Sequence, residues 1–166
     1  MELIDVTRHD GVVLAKLNHG VTNAISLELV QELAETIEGV RNDAAARALV
    51  MASATDKFFS IGFDIPQLFT FNAQEFGGFF RAFNQVCLDL YTLPKPTVAA
   101  LNGHATAGGC ILALCFDYRL IGQGRKLMGL NEIKLGVPVP YIADCCLRAL
   151  IGVRQARDLM ESGEFV

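Results

Sequence analysis

Leu101-Asn102-Gly103-His104-Ala105-Thr106-Ala107-Gly108-Gly109-Cys110-Ile111-Leu112-Ala113-Leu114-Cys115 follows an apolar, β-branched run at Thr97 to Ala100. That run reads as a buried strand. After Gly103 the chain turns, and from about Ala107 the residues Ile111, Leu112, Leu114 and Cys115 recur with helical spacing. Gly108 and Gly109 therefore stand where a helix begins. Inside a helix each glycine costs about 1 kcal/mol against alanine. At a helix start it leaves backbone N–H groups open to a ligand at the positive end of the dipole, with no side chain in the way. The same pair also suits a helix that packs closely on a neighbour, and this stretch alone does not choose between the two.

Strands and helices alternate on both sides. Leu3 to Arg8 and Val12 to Leu17 are β-rich runs around Asp10-Gly11, a hairpin signal. Asn18 to Asn23 is a polar loop. Ser26 is placed to cap a helix from Leu27 to about Arg41, with Leu29, Val30, Leu33, Ile37 and Val40 on one stripe. Ala48 to Ala52 has the pattern of a fully buried strand, and its place after a helix predicts a β-α-β crossover. Asp56-Lys57 turns the chain into Phe58-Phe59-Ser60 and then Ile61-Gly62-Phe63-Asp64. A long helix is predicted from about Ala73 to Leu93, stopped by Pro94-Lys95-Pro96. Beyond the opening stretch come a strand at Tyr118 to Ile121, a loop at Gly122 to Lys126 and an apolar run at Leu127 to Leu130. Helices at Tyr141 to Leu150 and Val153 to Met160 follow, split by Gly152. The alternation marks an α/β domain without internal repeats or linkers. Residues 1–166 read as one core domain. A finish on Phe165-Val166, with no closing element to bury them, predicts a chain truncated at its C-terminus.

At 166 residues, 52% of them hydrophobic, the chain is long enough for a sizeable core. A net charge of −4 and the lack of any basic run argue against a nucleic-acid surface. No stretch of membrane-spanning length is free of polar and charged residues. The charged opening segment lacks the marks of a secretory or transit peptide, which predicts a cytoplasmic protein. Cys87, Cys110, Cys115, Cys145 and Cys146 have neither CxxC spacing nor histidine partners, and read as small core residues in a reducing compartment. Neither a metal site nor a disulfide frame is expected.

Two further segments bear on chemistry. Gly62, next to a strand end, allows close backbone approach to a ligand, where Ile61 can offer its N–H. With the N–H of Gly108 it would form a two-donor hole for a carbonyl oxygen gaining negative charge, each donor being worth about 2.7–4 kcal/mol of barrier. In Leu130-Asn131-Glu132-Ile133 one carboxylate stands among apolar neighbours. There it serves either as a proton acceptor with a raised pKa or as a surface carboxylate in a loop.

The sequence resembles the crotonase (enoyl-CoA hydratase/isomerase) superfamily over nearly its whole length. The likeness rests on Asn23-Ala24-Ile25-Ser26, Phe59-Ser60-Ile61-Gly62-Phe63-Asp64-Ile65, Asn102 to Cys110, and the Gly129 to Gly136 stretch, in family order and at family-like distances. The resemblance implies a crotonase-like spiral of β-β-α units whose C-terminal helical part is missing here. It implies a coenzyme A thioester as ligand, with coenzyme A part of the substrate and no permanently bound cofactor. The thioester oxygen would be held by the N–H groups of Ile61 and Gly108. Ala24, Asp64, Ile65, Gly109 and Asn131 are the implied substrate and coenzyme A contacts, and the implied assembly is a homotrimer or a pair of trimers.

Hydratases of the superfamily carry one glutamate three residues after the oxyanion glycine and a second in the later loop. Here Ile111 takes the first place and Glu132 the second. One carboxylate beside an oxyanion hole can carry a proton from carbon to carbon, which is isomerase chemistry. The nearest resemblance is to the dodecenoyl-CoA isomerase branch; the alternatives are an enoyl-CoA hydratase or other acyl-CoA thioester enzyme of the superfamily, or a non-catalytic acyl-CoA-binding protein. Glu132 is thus the expected catalytic residue, and Ile111 would keep the pocket dry. Ser60 and His104 offer a nucleophilic alternative, although no acidic residue is placed to orient the histidine. Lys57, Lys95, Arg125 and Lys126 read either as contacts for the coenzyme A phosphates or as solvated surface.

Overall fold

The computed structural model describes residues 2–166. The chain opens with a hairpin, β1 (Ile4–His9) antiparallel to β2 (Val12–Leu17), and α1 (Leu27–Asn42) follows. The Ser26 side chain accepts from the Leu29 N–H and starts α1, whose buried stripe is the one the spacing predicts. Next come β3 (Ala48–Ser53), β4 (Phe58–Ser60), the short α2 (Ile65–Leu68) and the long α3 (Ala73–Tyr91). A capping box formed by Asn72 and Glu75 begins α3. The chain continues through β5 (Thr97–Leu101), β6 (His104–Thr106), α4 (Gly108–Leu114), β7 (Tyr118–Ile121) and β8 (Met128–Gly129). It ends with a 3-10 turn (Glu132–Leu135), α5 (Tyr141–Ile151) and α6 (Val153–Ser162).

Two sheets organise these elements. One has five strands in the order β1-β2-β3-β5-β7, parallel from β2 onward; the other has three parallel strands in the order β4-β6-β8. Each passage of the chain adds one strand to the larger sheet, one to the smaller, and then helical structure: β3-β4-α3, β5-β6-α4, and β7-β8 with the 3-10 turn. This is the expected spiral of β-β-α units. The core between sheets and helices is apolar, with Phe59, Phe79, Phe83, Leu33, Ile37, Leu49, Met51 and Leu101 all fully buried.

Some expectations change. Gly103 does not turn the chain straight into a helix, because β6 intervenes. No repeat is visible in the sequence, yet the structure repeats one unit three times at unequal spacing. The strands of the smaller sheet have three, three and two residues, too short for any alternation to register. Cys145 is exposed, unlike the other four cysteines. Val166 exchanges two backbone hydrogen bonds with Met128, at 2.8 and 2.9 Å, while the Phe165 and Val166 side chains stay exposed. No helix among the described residues is long and apolar enough to cross a membrane.

Candidate active site

The candidate groups lie on the first turn of α4, the loop after β4 and the 3-10 turn that follows β8. Asn23 holds the approach. It is fully buried with a φ of +47°, and its Nδ2 donates to Ser53 Oγ (2.8 Å) and the Phe59 carbonyl (3.0 Å), while its Oδ1 accepts from the His19 N–H (2.8 Å). The loop before α1 is thereby fastened to β3 and β4. Ile25 then bridges Phe63 in parallel: the Ile25 N–H donates to the Gly62 carbonyl (2.8 Å) and its own carbonyl accepts from Asp64 N–H (3.0 Å).

This pairing decides which N–H is available. In a parallel bridge one residue, here Ile25, makes both hydrogen bonds, and the residue opposite it turns its own N–H away from the partner strand. The Phe63 N–H accordingly has no hydrogen bond among the described residues. Ile61, the expected donor, does not fill that role, because its N–H donates to the Thr22 carbonyl at 3.1 Å. The free donor lies two residues on, at Phe63. Sequence reasoning missed it because the signal is the register of a partner strand far away in the chain.

Gly108 stands at a helix start, as the spacing predicts. It is the first residue of α4, and its N–H has no intrahelical acceptor. The residue before it, Ala107, has φ +47° and ψ −124°, a conformation disfavoured for a residue with a Cβ. Two bonds hold Ala107 in place, its N–H donating to the Gly129 carbonyl (3.0 Å) and the neighbouring Thr106 Oγ1 to the Ile61 carbonyl (3.1 Å). Gly62, at φ +98°, brings the two donor segments together, since a Cβ there would lie 2.8 Å from the Gly108 nitrogen. The Phe63 ring lies over Gly108 and meets Phe79 and Phe83 of α3 edge-on at 5.1 and 4.8 Å.

Gly109, an expected substrate contact, serves packing. A Cβ there would fall 2.3 Å from the Ser60 carbonyl oxygen, so only glycine lets α4 cross β4 this closely. The two readings of the glycine pair thus divide between its members.

Glu132 is delivered by β8. Gly129 pairs with Thr106, and the 3-10 turn begins three residues later at Glu132. The side chain is 5% exposed and its Oε2 is sealed without a hydrogen-bond partner. Burial raises its pKa above the ordinary carboxylate value, against a smaller lowering by its own backbone N–H. It is therefore no surface carboxylate. The charge of Glu132 reaches Cys110 of α4, whose thiol is pushed up by burial first and by that carboxylate second. Asn131 Oδ1, one residue earlier, is likewise buried without a donor. Ile111 is buried one turn beyond Gly108.

Ser60 and His104 take structural places. Ser60 Oγ donates to the Asn23 carbonyl (2.7 Å) and accepts from Gly62 N–H (3.1 Å), while His104 Nδ1 accepts from Leu127 N–H (2.9 Å). Serine and histidine are each bound to backbone and do not address one another, which removes the nucleophilic reading. The Ala24 carbonyl is shared by the His19 ring (2.8 Å) and Ser26 N–H (3.1 Å). Asp64 caps α2 through Gln67 N–H (3.2 Å), and Ile65 is exposed. Lys95 holds the Asp43 carbonyl (2.6 Å) beyond the end of α1, Lys126 reaches the Asp56 carbonyl (3.2 Å), Lys57 lies over the Phe58 ring, and Arg125 is exposed. An apolar cavity of about 850 Å³ opens beside Cys110, Gly129 and Leu130 under Leu147 and Leu159; neither Gly108 nor Glu132 lines it. Among the described residues no cluster of histidine, cysteine and carboxylate side chains is arranged to hold a metal ion.

The profile of the enoyl-CoA hydratase/isomerase family matches residues 7–166. The chain belongs to that family. Mouse mitochondrial enoyl-CoA delta isomerase 1 is 32% identical over 97% of the chain, which spans 56% of that protein. The crystal structure of human mitochondrial delta3-delta2-enoyl-CoA isomerase superposes with a TM-score of 0.94 at 31% identity, over 98% of this chain and 64% of that one. An enoyl-CoA hydratase from Bacillus anthracis reaches the same TM-score at 28% identity, over 99% of this chain and 64% of that one. This member of the enoyl-CoA hydratase/isomerase family thus spans little more than half the length of its curated relative. The two isomerases carry mitochondrial names, and the expectation of a cytoplasmic protein gains no support from them.

Proposed function

We propose that the site moves the double bond of a 3-enoyl-CoA to give the conjugated 2-enoyl-CoA. The observation that carries this reading is a buried carboxylate, Glu132, with one oxygen unpartnered, on a turn that follows β8, whose Gly129 carbonyl holds Ala107 beside the free Gly108 N–H, together with the second free donor, Phe63 N–H, on the loop after β4. The thioester oxygen sits between those donors. Glu132 removes a proton from the carbon alpha to the carbonyl, and the electron pair delocalises over the oxygen and the former double bond as a dienolate. The two N–H groups stabilise the oxygen without reorganising. Glu132 then returns the same proton to the gamma carbon, so atoms and charge balance within the substrate. Ile111, where a second carboxylate would be needed to handle water, keeps addition from competing.

Backbone groups near Ala24 and at Asp64-Ile65 would line the coenzyme A channel. The Phe63 ring, backed by Phe79 and Phe83, provides an apolar wall beside Gly108. The assembly proposed for the whole protein is a trimer or a pair of trimers.

The test is absorbance of the conjugated thioester after mixing with a 3-enoyl-CoA, with a 2-enoyl-CoA as the hydration control. Glu132→Gln is expected to lower turnover by about 10²–10⁴-fold with acyl-CoA affinity nearly unchanged. Turnover retained in that variant would remove Glu132 as the base.

A further inference from the structure

Asn131 is an anomaly among the helix caps. Ser26, Asp64 and Asn72 occupy the residue before α1, α2 and α3, and each accepts a hydrogen bond from its own helix through its side chain. Asn131 occupies the same place before the 3-10 turn, and its side chain makes no capping bond. Its Oδ1 is instead buried and unpartnered, as is Oε2 of the next residue, Glu132. Two buried acceptors on consecutive residues are each costly without a donor. The two ends of a carboxamide are nearly isosteric, so a half-turn about χ2 exchanges the acceptor for an N–H donor without changing the packing.

We propose that Asn131 positions Glu132, its side-chain amide donating to Oε2 and leaving the other carboxylate oxygen for the substrate. The proposal rests on the isomerase reading only for its catalytic meaning. Such a bond favours the ionised carboxylate, which the base must be, against the burial that disfavours it. It also fixes the plane of the carboxylate, so that one oxygen can reach both the alpha and gamma carbons. Few other groups face Glu132. From α4 the Cys110 thiol does, kept neutral by burial. Lys134, on the turn itself, is paired with Glu164 at 2.7 Å near the surface. From α6, which packs on the turn, Arg154, Arg157, Asp158 and Glu161 are exposed.

The experiment is an NMR titration of the whole chain without substrate, following the Glu132 carboxyl carbon and the Asn131 side-chain nitrogen. In the wild-type protein both resonances are expected to titrate with one midpoint. In Asn131→Leu the Glu132 midpoint is expected to rise by about one to two pH units. An Asn131 nitrogen silent to Glu132 in the wild type overturns the proposal, whether or not the leucine variant folds. So does a midpoint that stays or falls in that variant, the latter because Asn131 would then be accepting from a protonated Glu132. The acid limb of turnover should move with the midpoint. A shared midpoint without isomerisation defeats the isomerase reading and leaves the Asn131 role standing; isomerisation through Glu132 with a silent Asn131 does the reverse.

Discussion

Glu132 sets activity and stability against each other. Its pKa is raised by burial, so the folded state binds the proton more tightly than the unfolded chain. The proposed proton abstraction needs the ionised form; turnover should therefore fall as pH drops through the raised pKa. Stability runs the other way. Above that pKa the buried charge is a penalty, and it is relieved as pH falls from there toward the ordinary carboxylate value. Glu132→Gln removes the charge, so at neutral pH this variant is expected to be more stable by about 1 kcal/mol while inactive. Urea denaturation of both proteins across pH checks this: the difference should close on acidification. Ser60 makes the opposite case. Its hydroxyl satisfies the Asn23 carbonyl and the Gly62 N–H, so Ser60→Ala is expected to lose about 1–3 kcal/mol of stability. It should keep turnover within about tenfold, since no step passes through Ser60. The Glu132 carboxylate among apolar neighbours was legible as a residue type. Its burial was not, because that depends on α6 and the turn packing together.

The strand-helix junctions place the donors. α4 can begin beside the loop after β4 only because Gly109 lets its first turn press on Ser60, where a Cβ would sit 2.3 Å from the carbonyl oxygen. Gly109→Ala is therefore expected to push α4 away from β4 and to destabilise the fold by about 1–3 kcal/mol. Because the N–H of Gly108 moves with α4, turnover should drop further than stability does at a permissive temperature; equilibrium denaturation and initial rates on one preparation measure both. Long elements were readable ahead of the structure: α1 from its stripe and Ser26 cap, α3 from its length and the proline stop, β3 and β5 from their apolar runs. β4, β6 and β8 were not, since a strand of two or three residues shows no period and exists only through its neighbours.

The larger sheet supplies the scaffold and the strand ends of the smaller sheet carry the groups proposed to react, so substrate binding should be felt by the whole molecule. A ligand that binds only the folded form stabilises it by about 2.7 kcal/mol at one hundred times its dissociation constant. Melting with and without an acyl-CoA is expected to show a rise that survives in Glu132→Gln, because the oxyanion donors are main-chain. Absence of any shift in either protein would count against the thioester as ligand.

Composition, the order of elements and the placing of Gly108, Ile111 and Glu132 came from residue chemistry and a likeness carried by four short segments. These are local properties, written in side-chain type and spacing. Which backbone N–H is free was decided by the tertiary structure alone. Ile61 and Phe63 are two residues apart on one short segment, and nothing in their side chains says which amide is occupied. The Ile25 bridge and the Thr22 carbonyl settle it, since a hydrogen-bond partner is a matter of register between distant segments.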